Sequence, residues 1–440
     1  MLRRLPVLLL CLLVLAACSD DTSSSTTAGN GATTTTVPED VATTPGDTTT
    51  TSAAVTTTAP DLSGVQGISD EVRGQLEELI RVAQEIRGLP FLSPPTITVV
   101  SAEELEARVR EDITEEAEDF PADEALYQML GLLNDNANLE QILLDLYGEQ
   151  VAGFYDGDTG EIVVPAREDG FSVLQRGTLV HELVHALTDQ HFGFNDQFQT
   201  MIDEERLDEA SAYQALIEGD ATLAEVLWVQ TLTQGEIGEF LAEGMNVDTD
   251  ALNSAPRFLR ESLTFPYDSG LAFAQDLYLD NGDWTEVNGA YDTFPGLPAS
   301  TEQVITPDDY RRDLPIPVEI PDLTVAGYEL ERTSVWGEQG FRLLLNQGEG
   351  QSTMPRAADG WGGDSYHQWF DGENAALLIV YRGDTPTDVE ELEQALLTFS
   401  TESFPVDHFA WVDQLDGDLY FIAADDPAVG EQIRATVGLG

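Results

Sequence analysis

Residues 178–187 have the sequence TLVHELVHAL, in which two histidines stand four positions apart with a glutamate between them. The apolar spacers and flanks predict a helix that is buried nearly all round. On this helix His181 and His185 lie one turn apart on one face, where both imidazoles can bind a single Zn²⁺. Glu182 can act as general base toward a water that the metal activates. Unpaired imidazole and carboxylate groups would be costly in such surroundings, so the pattern predicts a zinc site.

The third protein ligand has more than one candidate. Glu218 lies in a long helical pattern beside the small residues of the segment ALIEGDA, which would let its helix approach another helix closely. His191 follows the first histidine by ten residues, as in the pattern HExxHxxGxxH. That pattern needs a glycine to turn the chain, and Thr188 in its place resists a positive φ. We expect Glu218 to be the ligand, with His191 and another acid, foremost Glu225 on the same helical face, as the alternatives.

Several segments resemble the gluzincin clan of zinc metallopeptidases, the group that contains thermolysin and the aminopeptidase-N-type enzymes. More closely, the chain is similar to a family of uncharacterised actinobacterial secreted or lipoprotein HExxH proteins. The similarity lies in residues 153–156 (GFYD), 181–192 (HELVHALTDQHF), 215–221 (ALIEGDA), 265–270 (FPYDSG), 284–288 (WTEVN), 300–304 (STEQV) and 360–364 (GWGGD). The resemblance implies a zincin-like metallopeptidase core, peptide-bond hydrolysis, and Zn²⁺ held by His181, His185 and Glu218.

The resemblance also implies a role for Tyr267, which forms a Tyr-x-x-Gly pattern with Gly270 at the expected start of an apolar helix. In aminopeptidase-type gluzincins this tyrosine donates its hydroxyl to the tetrahedral oxyanion. A ring that only packs at a helix start fits the sequence equally well. Thermolysin-type enzymes carry an aspartate four residues after the ligand glutamate, and here that position is Thr222. The partner that orients a zinc histidine is therefore not identified, with Asp189 and Asp220 as weak candidates.

The N-terminus has the features of a bacterial lipoprotein signal. Two arginines precede a short apolar stretch, and small residues stand directly before Cys18. We predict a signal peptide in residues 1–18, cleaved before Cys18, whose sulfur then carries the lipid; an ordinary secretory signal is the alternative. Residues 19–62, rich in Thr and Ser, are predicted to be a disordered tether. The protein would thus be extracytoplasmic and lipid-anchored to the bacterial cell membrane, with no thiol in its globular part.

The charge of the chain limits its partners. Asp and Glu total 81 against 19 Lys+Arg, which gives a formal net charge of −62. Such a charge repels phosphate backbones and anionic headgroups, so we expect no nucleic-acid partner and membrane contact through the N-terminal lipid only. A solubilising surface is the favoured explanation of the acidity, ahead of dedicated cation binding.

The order of predicted elements indicates an α+β fold. We expect a zincin-like metallopeptidase core over residues 63–325, mostly helical with a small sheet, and a small C-terminal α+β module over residues 326–440. Within the core, residues 123–146 are predicted to be helical and residues 96–100 to form a strand. Residues 153–164 are predicted to form a hairpin of two short strands around the turn at residues 156–160. By fold analogy, residues 161–164 would form the sheet edge beside the zinc. The segment 68–121 is either an ordinary part of the core or an inhibitory cover over the cleft.

These observations predict a membrane-anchored extracytoplasmic zinc metallopeptidase that acts on a peptide or protein substrate. The alternative is a zinc-stabilised envelope lipoprotein that acts as a binding or scaffold protein without hydrolysis. Glu182 counts against the alternative, because a structural zinc site needs no base and is usually closed by four protein ligands. A metal-buffering lipoprotein ranks last, since the chain has only five histidines and none cluster outside the HExxH pattern.

Overall fold

The computed structural model describes residues 8–12, 62, 65, 68–115, 120–166, 170–293, 295–347, 354–402 and 404–439. Cys18 and the predicted tether as far as residue 61 lie outside these residues. The fold is α+β and mostly helical, as the sequence predicts. Within the described ranges, no helix has both the length and the apolar character needed to cross a bilayer.

The first sheet has four strands: β1 (Leu8–Leu12), β2 (Thr96–Val100), β3 (Val151–Asp156) and β4 (Glu161–Pro165). Their order is β1-β3-β4-β2; β3 and β4 form the predicted antiparallel hairpin, and β2 runs parallel to β4. The expectation that residues 161–164 form the edge is wrong, because β4 is paired on both sides. Strand β1 is antiparallel to the outer side of β3. It lies within the predicted signal peptide, so cleavage before Cys18 would leave β3 as the edge strand.

Twelve described helices accompany this sheet. They are α1 (Asp70–Arg87), α2 (Ala102–Glu115), α3 (Phe120–Met129), α4 (Leu139–Gln150), α5 (Val173–Phe192), α6 (Phe194–Asp203), α7 (Leu207–Val229), α8 (Gln234–Gly244), α9 (Asp250–Ser254), α10 (Arg257–Asn281), α11 (Thr285–Ala290) and α12 (Thr301–Ile305). The single helix expected over residues 123–146 is divided into α3 and α4, because Gly131 adopts a left-handed conformation (φ 72°) just after α3.

Helix α10 differs from the expected course. The apolar pattern that follows Tyr267 predicts a helix that starts there, but Pro266 and Tyr267 both lie inside α10. A proline inside a helix removes one backbone hydrogen bond and brings its ring against the carbonyl four residues earlier, at a cost of about 3 kcal/mol. The long packing contact between α10 and α7 offsets this loss, so the helix continues through the proline.

Residues of the first sheet alternate between two hydrophobic clusters. Tyr155 and Ile162 point into the cluster formed mainly by α1, α5, α7 and α10, whereas Phe154 and Val163 point into a second cluster. Because α1 packs against α5 and α7, and β2 is paired within the sheet, the segment 68–115 is built into the core. These contacts favour an ordinary core segment over a detachable cover.

The C-terminal part contains β5 (Glu329–Ser334), β6 (Trp361–Phe370), β7 (Ala375–Gly383), β8 (Phe409–Leu415) and β9 (Asp418–Ala424), with α13 (Gly337–Leu345), α14 (Pro386–Glu402) and α15 (Pro427–Val437). The strands form an antiparallel sheet in the order β5-β6-β7-β9-β8. The second hydrophobic cluster joins Phe154 and Val163 of the first sheet to Phe341 and Leu377 of this part. The hydrophobic packing therefore continues across the predicted boundary at residue 325, which stays a prediction.

Candidate metal centre

Helix α5 carries the HExxH residues in its middle. Its N-terminus has a capping box, in which the Ser172 hydroxyl accepts from the Gln175 backbone and the Gln175 side chain accepts from the Ser172 backbone. The helix ends at Phe192, and the next residue, Gly193, caps it in a left-handed conformation (φ 63°). His181, Glu182 and His185 are all buried, with at most 1% of each residue exposed. The sequence prediction of a buried helix is thus confirmed, and its polar residues need partners inside the protein.

Glu218 of α7 meets both histidines. Its Oε2 atom lies 3.1 Å from Nε2 of His181 and 3.4 Å from Nε2 of His185. The ligand atoms of these three buried residues all lie within 4.8 Å of one another, and no other such group of His, Cys, Asp or Glu occurs in the described part of the chain. The structure therefore brings together the three residues that the sequence favoured, in a group that could bind a metal ion.

Several polar atoms of the centre have no hydrogen-bond partner among the described residues. They are Nδ1 of His181, both ring nitrogens of His185, Oε1 of Glu218 and both carboxylate oxygens of Glu182. Buried polar groups are nearly always partnered, because an unsatisfied one costs about 1–3 kcal/mol. Two imidazole nitrogens and a carboxylate suit several divalent transition metals, so the donor set fits a metal ion without identifying it.

The histidines and glutamates of the centre have perturbed pKa values. For His181, burial acts to lower the pKa, but the hydrogen bond and charge of Glu218 outweigh it and raise the pKa to about 9. Burial raises the pKa of Glu182 to about 8 and lowers that of His185. For Glu218, burial acts in the opposite direction, but the two histidines together hold the pKa below its ordinary value. The group thus favours an anionic Glu218 between two imidazoles.

The two alternative ligands lie outside the metal group. Helix α5 continues through Thr188, whose hydroxyl donates to the Val184 carbonyl, and so His191 is not turned toward the centre. Instead, Nε2 of His191 donates to the Pro90 carbonyl at 2.7 Å. Glu225 approaches His181 from the other side of the ring, with Oε2 at 3.8 Å from Nδ1. Neither residue belongs to the metal group.

The two aspartates considered as orienting partners also have other contacts. Asp189 accepts hydrogen bonds from the Tyr155 hydroxyl at 2.7 Å and from the backbone of Asn195 at 3.0 Å. Asp220 forms a fully buried ion pair with Arg87, with Nε and Oδ1 2.7 Å apart. These contacts join α5 to β3 and α7 to α1, and thereby hold the elements around the centre.

Tyr267 is buried and lies close to the centre, with its ring centroid 6.3 Å from that of His181 and the planes inclined by 28°. Its position depends on a close crossing of α7 and α10, which confirms the expectation that the small residues beside Glu218 let its helix approach another helix closely. The small residues of α7 face α10: a Cβ on Gly219 would lie 2.0 Å from the Gly270 carbonyl oxygen. The glycine of the Tyr-x-x-Gly pattern is the sequence signal for this crossing.

Comparison with known proteins identifies no relative of this chain. No family model matches the chain, and neither the search of curated proteins nor the search of solved structures finds a match.

Proposed function

We propose that this protein is a zinc metallopeptidase with a zincin-like core. The observation that carries the proposal is the buried group of His181, His185 and Glu218, with Glu182 one residue away on the same helix. A site with three protein ligands leaves a position for water and substrate, as in catalytic rather than structural zinc sites. The resemblance of the surrounding segments to gluzincins supports the same assignment.

The donor set favours Zn²⁺ among the metals it could bind. Two neutral imidazoles and one carboxylate are the ligands of catalytic zinc in this class of peptidase. When bound, zinc would act as a Lewis acid that polarises the substrate carbonyl and makes water more acidic. His181, His185 and Glu218 would hold the ion through the atoms that face one another in the structure.

The protein's own residues supply the proton transfers. Glu182 accepts a proton from the water that attacks the scissile carbonyl carbon, and then delivers it to the leaving amine nitrogen. Neither of its oxygens forms a hydrogen bond to a side chain in the described part of the protein. The Tyr267 hydroxyl donates a hydrogen bond to the carbonyl oxygen as negative charge develops there.

The side of the sheet next to α5 offers a place for the substrate. The backbone N–H of Tyr155, on β3, lies close enough to Glu182 to act on its pKa. An extended peptide that pairs antiparallel with β3 would pass beside the centre. Strand β1 has this pairing in the structure. In the mature lipoprotein that we propose, cleavage before Cys18 removes β1 and frees the edge of β3.

We propose that the enzyme acts outside the cytoplasm, attached by a lipid on Cys18. Forty-odd tether residues would give the globular part an r.m.s. reach of roughly 35 Å from the membrane. The net charge of −62 disfavours a nucleic acid as substrate or partner.

The test combines zinc content with peptide cleavage. Wild type should contain about one zinc and cleave members of a mixed peptide library, detected by mass spectrometry. Glu182→Gln should keep the zinc and lose activity by about 10²-fold or more. The matched control is Glu209→Gln, the same chemical change in the first turn of α7. This variant should keep both the zinc and the peptidase activity.

Three results would refute the proposal. They are folded wild type without zinc, hydrolysis that persists in Glu182→Gln, and wild type that binds zinc but cleaves no peptide. The last of these would support the scaffold alternative.

A further inference from the structure

The two ring nitrogens of His181 have different surroundings. Nε2 faces Glu218 at 3.1 Å, on the side of the metal group. Nδ1 is buried and makes no hydrogen bond to any described residue, and the carboxylate oxygen Oε2 of Glu225 lies 3.8 Å from it. Glu225 is seven residues after Glu218 on α7, so both acids project from one face of the helix toward the same histidine.

Helix α5 leaves space for the Glu225 carboxylate. One turn before His181 stands Gly177, where an added Cβ would lie 2.9 Å from Oε1 of Glu225. The same Cβ would lie 3.1 Å from the Trp228 ring and 3.2 Å from the Phe240 ring. The carboxylate thus occupies a gap between an apolar wall and the helix that carries the histidine. The Glu225 side chain is 17% exposed, which is low for a glutamate.

The chemistry of a histidine ligand explains what a carboxylate can do there. A neutral imidazole that binds a metal through Nε2 carries its proton on Nδ1, and this N–H needs an acceptor. A carboxylate acceptor fixes the tautomer and the ring orientation, and it makes the ligand more basic. Thr222 stands where thermolysin-type enzymes have this acid, while Asp189 and Asp220 are engaged with other residues.

We propose that Glu225 is the positioning residue of His181: it accepts the Nδ1–H and holds Nε2 toward the metal. A movement of the carboxylate by roughly 1 Å brings the two atoms to hydrogen-bond distance. This inference rests on the metal centre of the proposed function but not on peptide hydrolysis. It gives α7 two roles, with Glu218 as ligand and Glu225 behind the first histidine.

Zinc affinity of the full-length protein provides the first test, measured by competition with a chromophoric chelator. Glu225→Leu should weaken zinc binding by about 10–100-fold, the range for loss of a group that orients a ligand. Glu225→Gln should fall between this variant and wild type, because the amide oxygen can still accept the Nδ1–H. Glu209→Leu makes the same chemical change near the start of α7 and should bind zinc as wild type does.

Proton NMR of protein labelled with ¹⁵N-histidine provides a second test, which a purely structural role would not affect. Zinc-loaded wild type should show a protected Nδ1–H signal that is absent from His181→Gln. In Glu225→Leu this signal should exchange rapidly or move upfield. If Glu225→Leu fails to fold, the zinc affinity and Nδ1–H signal of Glu225→Gln decide the question.

Unchanged zinc affinity and an unchanged Nδ1–H signal in the variants would overturn the inference. Complete loss of zinc from Glu225→Leu, equal to that of His181→Ala, would also overturn it, because Glu225 would then be a ligand. Wild type that binds zinc without cleaving peptides would refute the proposed function, while the effects on zinc affinity would still support the role of Glu225.

Discussion

The crossing of α7 and α10 predicts that Gly270→Ala damages both stability and activity. A Cβ on Gly270 would lie 2.1 Å from the carbonyl oxygen of Ala215 and 2.9 Å from its carbonyl carbon. Both atoms belong to the backbone of a helix, so no side-chain rotation can relieve the contact. Non-bonded heavy atoms settle at about 3.5 Å or more, and the helices must therefore separate by roughly 1.4 Å at this point.

The expected magnitudes follow from that displacement. Overpacking in a close-packed interior typically costs about 1–3 kcal/mol, and we expect the upper end because the clash is between backbones. The shift also carries Tyr267, one turn before Gly270, away from the centre. Misplacement of a catalytic group by about 1 Å can lower the rate about 100-fold. Zinc should remain bound, because all three ligands lie on α5 and α7.

Urea unfolding, zinc content and peptide cleavage together measure these effects. The matched control is Gly238→Ala in α8, where an added Cβ has no atom within 4 Å. This control should gain about 0.5–1 kcal/mol from the higher helix propensity of alanine. The reasoning is refuted if Gly270→Ala unfolds at the same urea concentration as wild type, or if it cleaves peptides at the wild-type rate.

Three further changes test other parts of the structure. Arg87→Met should lower the free energy of unfolding by about 3–5 kcal/mol in urea titrations, because it leaves Asp220 charged and buried; a loss below about 1 kcal/mol would contradict this. Burial raises the pKa of Asp208 to about 7. The folded state therefore keeps a proton that the unfolded chain releases near pH 4. The contribution of Asp208 to the free energy of unfolding falls as the pH rises from about 4 to 7. Asp208→Asn should therefore flatten the profile of unfolding free energy against pH over this interval, and an unchanged slope would refute the assignment. Removal of zinc by a chelator should lower the melting temperature, and free zinc at about 100 times its dissociation constant should restore about 2.7 kcal/mol. In His185→Ala this zinc-dependent increment should disappear, and its survival would contradict the assigned ligand set.

Local patterns were sufficient for much of the secondary structure. The strand at Thr96–Val100 was predicted with its observed bounds, and the hairpin and the helix around HExxH were also predicted correctly. Periodicity and turn residues act over a few positions, so the sequence carries this information directly. The same holds for the pair of histidines, because residues four apart on a helix share a face in any fold.

Nonlocal contacts explain the predictions that were wrong. Whether β4 is an edge strand depends on β2, which lies about sixty residues earlier in the chain and pairs with it in parallel. Pro266 stays inside a helix because α10 packs along α7. The pairing of β2 with β4 and the packing of α10 on α7 leave little trace in the sequence of either partner. Rules that consider one element at a time therefore misplace the edge of the sheet and the start of the helix.

In the metal centre, too, some features follow from the local sequence and others from contacts between distant segments. The sequence by itself determined that one helix presents two imidazoles and a carboxylate, and that another presents Glu218 and Glu225, because side-chain spacing on a helix is local. Only the tertiary structure decided that Glu218 meets Nε2 of His181 while Glu225 approaches Nδ1, and that His191 turns away to Pro90. The physical reason is that helix faces are set by chain geometry, whereas the choice of facing partner is set by packing between segments far apart in the chain.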